Sequence, residues 1–343
     1  MFKKQIDILA IGDTATDAFI RLKDANVHCK VDTNDCEICM PFGDKIPFEY
    51  TKVIKAVGNA ANAAVSAARL GLRAGLVSNL GDDQIGKDSF AELQRNGVIT
   101  KFVKTNLHKP SNYHFVLWYD VDRTILVKHT DYDYRLPEFP APKWIYLTSL
   151  ASTTYNYHMA IADYLEKNTS VKLAFQPGTF QMELGTEKLA RIYQRTDLFV
   201  VNVEEAQRIL KTKTRDIKAL LKNLADFGPK MVAITDNTNG AYLYTGEHYY
   251  HVPMYPDPRP AFERTGCGDA WASTFVSALA LGKDPLEALI WAPVNPMSVA
   301  QFVGAQEGLL TREQLTWWLE RAPAEYKPRE IYGIILHIYE EYI

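Results

Sequence analysis

The sequence predicts an α/β fold of three layers, a mostly parallel central sheet with helices on both faces, carrying a small discontinuous β-sheet as a lid. Three observations predict it. Short apolar runs bounded by turn residues recur at 6–11, 72–79, 144–150, 171–176, 198–202 and 231–235, the pattern of strands buried on both faces. Between them lie segments with helical spacing at 59–70, 85–96, 155–168, 204–211, 215–227, 270–281 and 285–303, and strands alternating with helices build a parallel sheet. Two stretches, 16–57 and 112–129, break that rhythm and lack a helical pattern; β-rich pieces inserted at separate points can pair with each other.

Along the chain, the run 6–11 is interrupted only by Asp7 and ends at the turn Gly12-Asp13, so it reads as a first core strand. The stretch 16–57 supplies the first part of the lid. Segment 59–70 is rich in alanine, a strong helix former. The stretch 112–129, NYHFVLWYDVDRTILVKH, reads as a hairpin turning at 120–123. Four further strands and five helical segments follow, and 253–260, with four prolines, is a surface connection. The expected division is therefore a core of 1–15, 58–111 and 130–330, a lid of 16–57 and 112–129, and a tail of 331–343.

Composition bounds the function classes. At 343 residues, 47% hydrophobic and 23% charged, the chain can bury a large core, and a net charge of −3 gives no electrostatic reason to expect nucleic acid as a partner. No apolar run approaches the ~20 residues that span a bilayer, so no membrane partner is expected. The first twelve residues lack a signal-peptide pattern, and four cysteines in so long a chain do not make a disulfide scaffold; the expected setting is the cytoplasm.

The chemistry concentrates at Gly266-Cys267-Gly268-Asp269, where small residues allow a tight turn straight into an alanine-containing helix. A helix start presents unpaired N–H groups and the positive end of the dipole, which suits an anion; Asp269 is then either a helix-capping acid or a group with work in the site. Other candidates sit where strands end. Asp13 and Asp17 follow the first strand, at the sheet edge where α/β proteins bind ligands. Asn62 is a polar residue on the alanine-rich helix, Asn202 and Glu205 open the helix after 198–202, and Thr235 and Gly240 flank a turn. GDDQIGKD at 81–88 nearly spells a P-loop but ends in Asp88 and carries two further acids, so it is set aside.

Together these motifs resemble the ribokinase-like (PfkB) carbohydrate and nucleoside kinases. Gly266-Cys267-Gly268-Asp269 resembles the family's anion-hole motif, Thr-Gly-Ala-Gly-Asp, with cysteine for alanine. Residues 57–98 resemble its N-terminal signature, NVEE at 202–205 its Asn-x-x-Glu motif, and GDTATD at 12–17 the place of a substrate-binding carboxylate. The resemblance implies a ribokinase-like fold and ATP-dependent phosphoryl transfer to an alcohol group, with Asp269 as general base and the backbone of Gly266, Cys267 and Gly268 as anion hole. It implies substrate contacts at Asp17, Asp13, Gly58 and Asn62, nucleotide contacts at Asn202, Thr235, Gly240 and Asn295, and Mg²⁺ organised through water by Glu205.

Several alternatives stay open. The acceptor is a hexose or pentose, or else a nucleoside stacked on the lid aromatics Tyr113, Phe115, Trp118 and Tyr119, which could equally serve packing or a homodimer formed through the lid. A catalytically silent sugar sensor is the reading from another class. Arg264 breaks with the resemblance and could reach a phosphate or pair with an acid. His28, Cys29, Cys36 and Cys39 have knuckle-like spacing for zinc, a lesser reading because adjacent His28 and Cys29 could not easily both ligate. A thiol at a helix start is expected to have a lowered pKa, which would make Cys267 open to oxidation and alkylation.

Overall fold

The computed structural model of the chain describes residues 5–23, 25–29, 36–120 and 122–332. The strands are β1 (Ile8–Ile11), β2 (Ala15–Leu22), β3 (Asn26–Cys29), β4 (Cys36–Cys39), β5 (Phe48–Val57), β6 (Ala74–Gly81), β7 (Val103–Asn106) and β8 (Asn112–Tyr119). They continue as β9 (Asp122–Leu126), β10 (Trp144–Leu147), β11 (Lys172–Phe175), β12 (Leu198–Asn202), β13 (Met231–Thr235), β14 (Ala241–Tyr244), β15 (Tyr249–Val252) and β16 (Arg329–Glu330). The α-helices are α1 (Asn59–Arg69), α2 (Gln84–Arg95), α3 (Tyr155–Lys167), α4 (Thr179–Lys188), α5 (Ala190–Arg195), α6 (Val203–Leu210), α7 (Ile217–Ala225), α8 (Cys267–Ala280), α9 (Pro285–Trp291), α10 (Val294–Val299) and α11 (Arg312–Leu319).

A ten-stranded sheet runs in the order β16-β15-β14-β13-β12-β11-β10-β1-β6-β7. From β13 through β7 the neighbours are parallel, while β14, β15 and β16 add antiparallel strands at one edge. Strand β1 shows why this sheet needs two helical layers. Its residues alternate between faces: Ile8 and Ala10 join the apolar cluster that includes α1, α8 and α9, and Leu9 and Ile11 join the one that includes α3, α5 and α7. All four are essentially inaccessible, and burying each large one is worth about 1.5–3 kcal/mol. Alanines at 60, 61, 63, 64 and 67 bury nearly all of α1, since a small side chain lets a helix lie between the sheet and α8.

The two β-rich insertions pair as expected. They form a separate four-stranded sheet, β5-β2-β8-β9, in which β2 and β8 are parallel and the other pairs antiparallel. The hairpin expected at 120–123 joins β8 to β9. This lid has its own small core, Phe19, Val116 and Trp118 packed with Val303.

Some elements differ from expectation. The helix expected at 285–303 is broken into α9 and α10 at Pro293, because proline supplies no N–H to the ladder. Helix α4, kinked internally at Gly185 (φ 83°), and the short α5 had no apolar period to announce them. The β3–β4 hairpin holds the expected zinc residues, with Cys29 opposite Cys36. That reading rests on the Cys29 and Cys36 side chains, which lie outside the described residues, as do 333–343 of the expected tail. No cluster of three or more metal-binding side chains occurs among the described residues, and no helix there is long and apolar enough to cross a membrane.

Candidate active site

Strand order reverses around β1, which has β6 on one side and β10 on the other. The carboxyl edge of a parallel sheet at such a point leaves a crevice. Here the ends of β10 to β13 deliver Ser149, Gln176, Asn202 and Thr235 to a cavity of about 580 Å³, closed by the start of α8 and by the lid.

Asp269 lies in the first turn of α8, behind Gly266 in the left-handed conformation (φ 80°), where a Cβ would meet Ala305 at 2.2 Å. Its carboxylate accepts one hydrogen bond from Asn62 Nδ2 (2.8 Å) on Oδ2, and bonds from Asn59 Nδ2 (2.8 Å) and Gln176 Nε2 (3.3 Å) on Oδ1. The amides are themselves oriented. Gln306 Nε2 donates to Asn62 Oδ1 at 2.9 Å, and the Tyr146 hydroxyl donates to Gln176 Oε1. Burial raises the Asp269 pKa above the ordinary carboxylate value, against the pull of the three amides and of Arg123. A carboxylate with raised basicity, reached from the cavity, can take a proton from a bound hydroxyl.

The anion cradle is partly as expected. Gly266 and Gly268 line the cavity, whereas the Cys267 N–H is turned to the Arg264 carbonyl at 3.3 Å. The surroundings of the partly buried Cys267 run against the expected reactivity. Its Sγ packs toward the Pro296 carbonyl (3.8 Å) and the apolar core, and burial pushes the thiol up to about 12, aided by the charge of Glu263. The helix start acts on the backbone side of the turn, not where this sulfur points.

Gly58 (φ 105°) turns the chain into α1 and lines the cavity with Asn62 and Asp17. Asp17 sits on β2 beside His114 of β8, Oδ1 to Nδ1 3.2 Å. Asp13 does not line the cavity: it accepts a 2.8 Å bond from the Tyr134 hydroxyl, and His129 Nδ1 stands 3.7 Å from its other oxygen. Burial pushes the Asp13 carboxyl up to about 6, with the Tyr134 bond pulling it down. His114 and His129, rings 5.4 Å apart, both face the cavity. The sequence reading missed them, along with Asn59, Gln176 as a donor, Arg123 and Glu263. Asn59 opens the helical segment 59–70, within the 57–98 stretch that resembles the family signature.

Asn202 and Glu205 form a capping box on α6: Glu205 N–H donates to Asn202 Oδ1 (2.8 Å) and Asn202 N–H to Glu205 Oε2 (2.9 Å). Both also line the cavity, and burial raises the Glu205 pKa. Thr235 lines it too. Gly240 is buried in the turn before β14 and does not line the cavity, and Asn295 is buried away from it, bonded to Thr274 Oγ1 and the Leu310 N–H at 2.9 Å each. Arg264 lines the cavity mouth and is exposed, with Asp257 within its field.

The sequence profile of the pfkB family carbohydrate kinases matches residues 49–311, well over half of the chain. The chain belongs to this family and is a kinase. It is 26% identical over 280 residues to a ribokinase of Bacillus subtilis, covering 75% of this chain and 85% of the relative. It is 25% identical over 273 residues to a 5-dehydro-2-deoxygluconokinase of Geobacillus kaustophilus, covering 73% and 78%. The fold matches the solved structure of Arabidopsis thaliana ribokinase complexed with ribose and ATP, with a TM-score of 0.77 at 19% identity over 93% of this chain and 99% of that one. The three-layer pfkB core with its separate β-sheet is therefore ribokinase-like.

Proposed function

We propose that this pfkB-family kinase transfers the γ-phosphoryl group of ATP to an alcohol group of a sugar, with Asp269 as general base. The observation that carries the reading is the Asp269 carboxylate, held by three amides, two of them oriented by Gln306 and Tyr146, at the head of a helix whose first turn opens on the same cavity as Asp17. In the reaction, Asp269 takes the acceptor's hydroxyl proton, the acceptor oxygen bonds to phosphorus, and the bond to the bridging oxygen breaks with its electron pair leaving on ADP. Gly266 and Gly268 N–H groups meet the charge on the moving phosphoryl; such a preorganised donor is worth about 3 kcal/mol of barrier. Asp17, with two oxygens side by side, grips acceptor hydroxyls, while Gly58, Asn62 and, from behind, Asp13 shape that end.

Asn202, Thr235 and Glu205 face the phosphate end. A carboxylate there suits Mg²⁺ held through its water shell, and Glu205 would so organise it; bound Mg²⁺ would supply charge neutralisation of the ATP phosphates. Gly240 and Asn295, outside the cavity lining, shape the nucleotide side from behind. The lid would exclude water as a competing acceptor.

A carbohydrate acceptor is favoured by relatives named ribokinase and 5-dehydro-2-deoxygluconokinase. The nucleoside alternative loses its stacking platform: Tyr113, Phe115, Trp118 and Tyr119 do not line the cavity, and Trp118 is buried in the lid core. A silent sensor has no use for an oriented base. An ADP-release assay across sugars and nucleosides with ATP–Mg²⁺ tests the reading, and no turnover with any of them would overturn it.

Two further expectations belong here. On the lid's outer face, Val53, Ala18, Phe115 and Leu126 fall in one cross-strand row, three of them about half exposed, which supports a homodimer through the lid. A monomer in sedimentation equilibrium at micromolar concentration would reject it. The cytoplasm, where ATP is supplied, fits the reaction, and fractionation checks it.

A further inference from the structure

The turn that makes the anion cradle is organised from below by Glu263. This carboxylate is only 1% exposed, yet it is a charged group three residues before Gly266. Its Oε1 accepts the Thr265 N–H (2.6 Å) and the Thr265 hydroxyl, and its Oε2 accepts the N–H of Gly304 (3.0 Å). The first two bonds fix the chain entering Gly266, and the third ties that chain to the 303–304 loop under the lid. A buried carboxylate held by neutral donors still needs a counter-charge, because desolvation disfavours its ionised form.

Arg123 supplies one from the lid. It stands on β9, the edge strand of the lid, 140 positions away in sequence, with Nε 4.0 Å from Glu263 Oε1. The same seam is packed by Trp118 of β8 against Phe262, ring centroids 5.2 Å apart, and by Val303 in the lid core. Arg123 also lines the cavity with Gly266, Gly268 and Asp269.

We infer that Arg123 is a positioning residue for phosphoryl transfer: by pairing with Glu263 it sets the anion-cradle turn, and its charge adds to the potential met by the moving phosphoryl, so that the cradle is fully formed only when the lid is seated. The inference rests on the kinase reading above. It places Arg123 apart from acceptor recognition, so its loss lowers kcat rather than weakening binding.

The test compares wild type with Arg123→Met, Arg123→Lys and Arg123→Ala. Arg123→Met is expected to lose tenfold or more in kcat with less than threefold change in KM for ATP and acceptor, and Arg123→Lys to recover part of the loss. Guanidinium at millimolar concentration is expected to restore activity to Arg123→Ala, where potassium at equal ionic strength does not. Independently of turnover, hydrogen exchange in the peptide spanning 263–270 is expected to quicken in Arg123→Met. If Arg123→Met folds poorly, the Lys variant and the guanidinium rescue carry the comparison. Unchanged kcat, or a change confined to KM with unaltered exchange at 263–270, would overturn the role. If wild type transfers no phosphoryl to any acceptor, the kinase reading fails, while the exchange result still decides whether Arg123 sets the turn.

Discussion

The side-chain amide of Asn62 lies 2.8 Å from the Asp269 carboxylate, joining α1 to the head of α8 across 207 positions of sequence. With Asn59 and Gln176 on the other oxygen, the carboxylate, the proposed base, is held before any acceptor arrives. Preorganisation of this kind predicts a defect in chemistry more than in binding. Asp269→Asn is expected to lower kcat by about 10²–10⁴, the usual share of a general base, with the ATP dissociation constant changed less than threefold. ADP release and calorimetric titration measure the two; turnover near wild type would remove Asp269 from the mechanism.

Asp13 predicts a pH-dependent stability. Its folded pKa of about 6 lies above the unfolded 3.8, so the folded protein prefers the protonated form. That preference is fully present below pH 3.8 and lost as pH rises through about 6, leaving a cost of up to about 3 kcal/mol at neutral pH. Asp13→Asn cannot ionise and its carbonyl can still accept from Tyr134. Its melting temperature relative to wild type is expected to climb between pH 4 and 7 and level off above. A constant difference across that range would count against a buried charged Asp13.

Cys267 is expected to resist alkylation. With its thiol pushed up to about 12 and turned into the core, iodoacetamide at pH 7.5 should label it far more slowly than an ordinary exposed cysteine. Peptide mass spectrometry over an hour measures this, and Cys267→Ala should keep most of the activity. Rapid labelling at this position would contradict the buried orientation.

Glu205 allows its structural and metal roles to be separated. Glu205→Gln keeps a side-chain acceptor for the Asn202 N–H, so the capping box should lose well under the ~1 kcal/mol typical of a lost cap. The charge is gone, however, and about tenfold more Mg²⁺ is expected for half-maximal rate. A shifted melting temperature with an unchanged Mg²⁺ requirement would leave Glu205 as a helix cap alone.

Much of this was legible in the residues because short-range rules govern it. The apolar runs located β1, β6, β10, β11, β12 and β13 but not the four-residue β7 at the sheet edge, and the lack of helical spacing at 16–57 and 112–129 located the second sheet. Gly266 and Gly268 marked the tight turn into α8 that lines the cavity. What stayed hidden depends on tertiary approach. Gln176 meets Asp269 across 93 positions and Arg123 meets Glu263 across 140, and no local spacing encodes either. The direction of the Cys267 sulfur was hidden for a related reason: a helix start fixes the backbone amides, but neighbouring helices decide which way Sγ packs. Short strands such as β14 and β15, four residues each, carry too little alternation to stand out.

Asp17 and His114 ride on β2 and β8 of the lid, while Asp269 and its amides belong to the core sheet and its helices. Under the proposed roles the molecule is modular in an evolutionary sense: replacements around Asp17 and His114 on β2 and β8 can redirect which alcohol is accepted, so long as Arg123 of β9, paired with Glu263, is kept. Selection can explore new acceptors on one piece of the chain while the other stays constant.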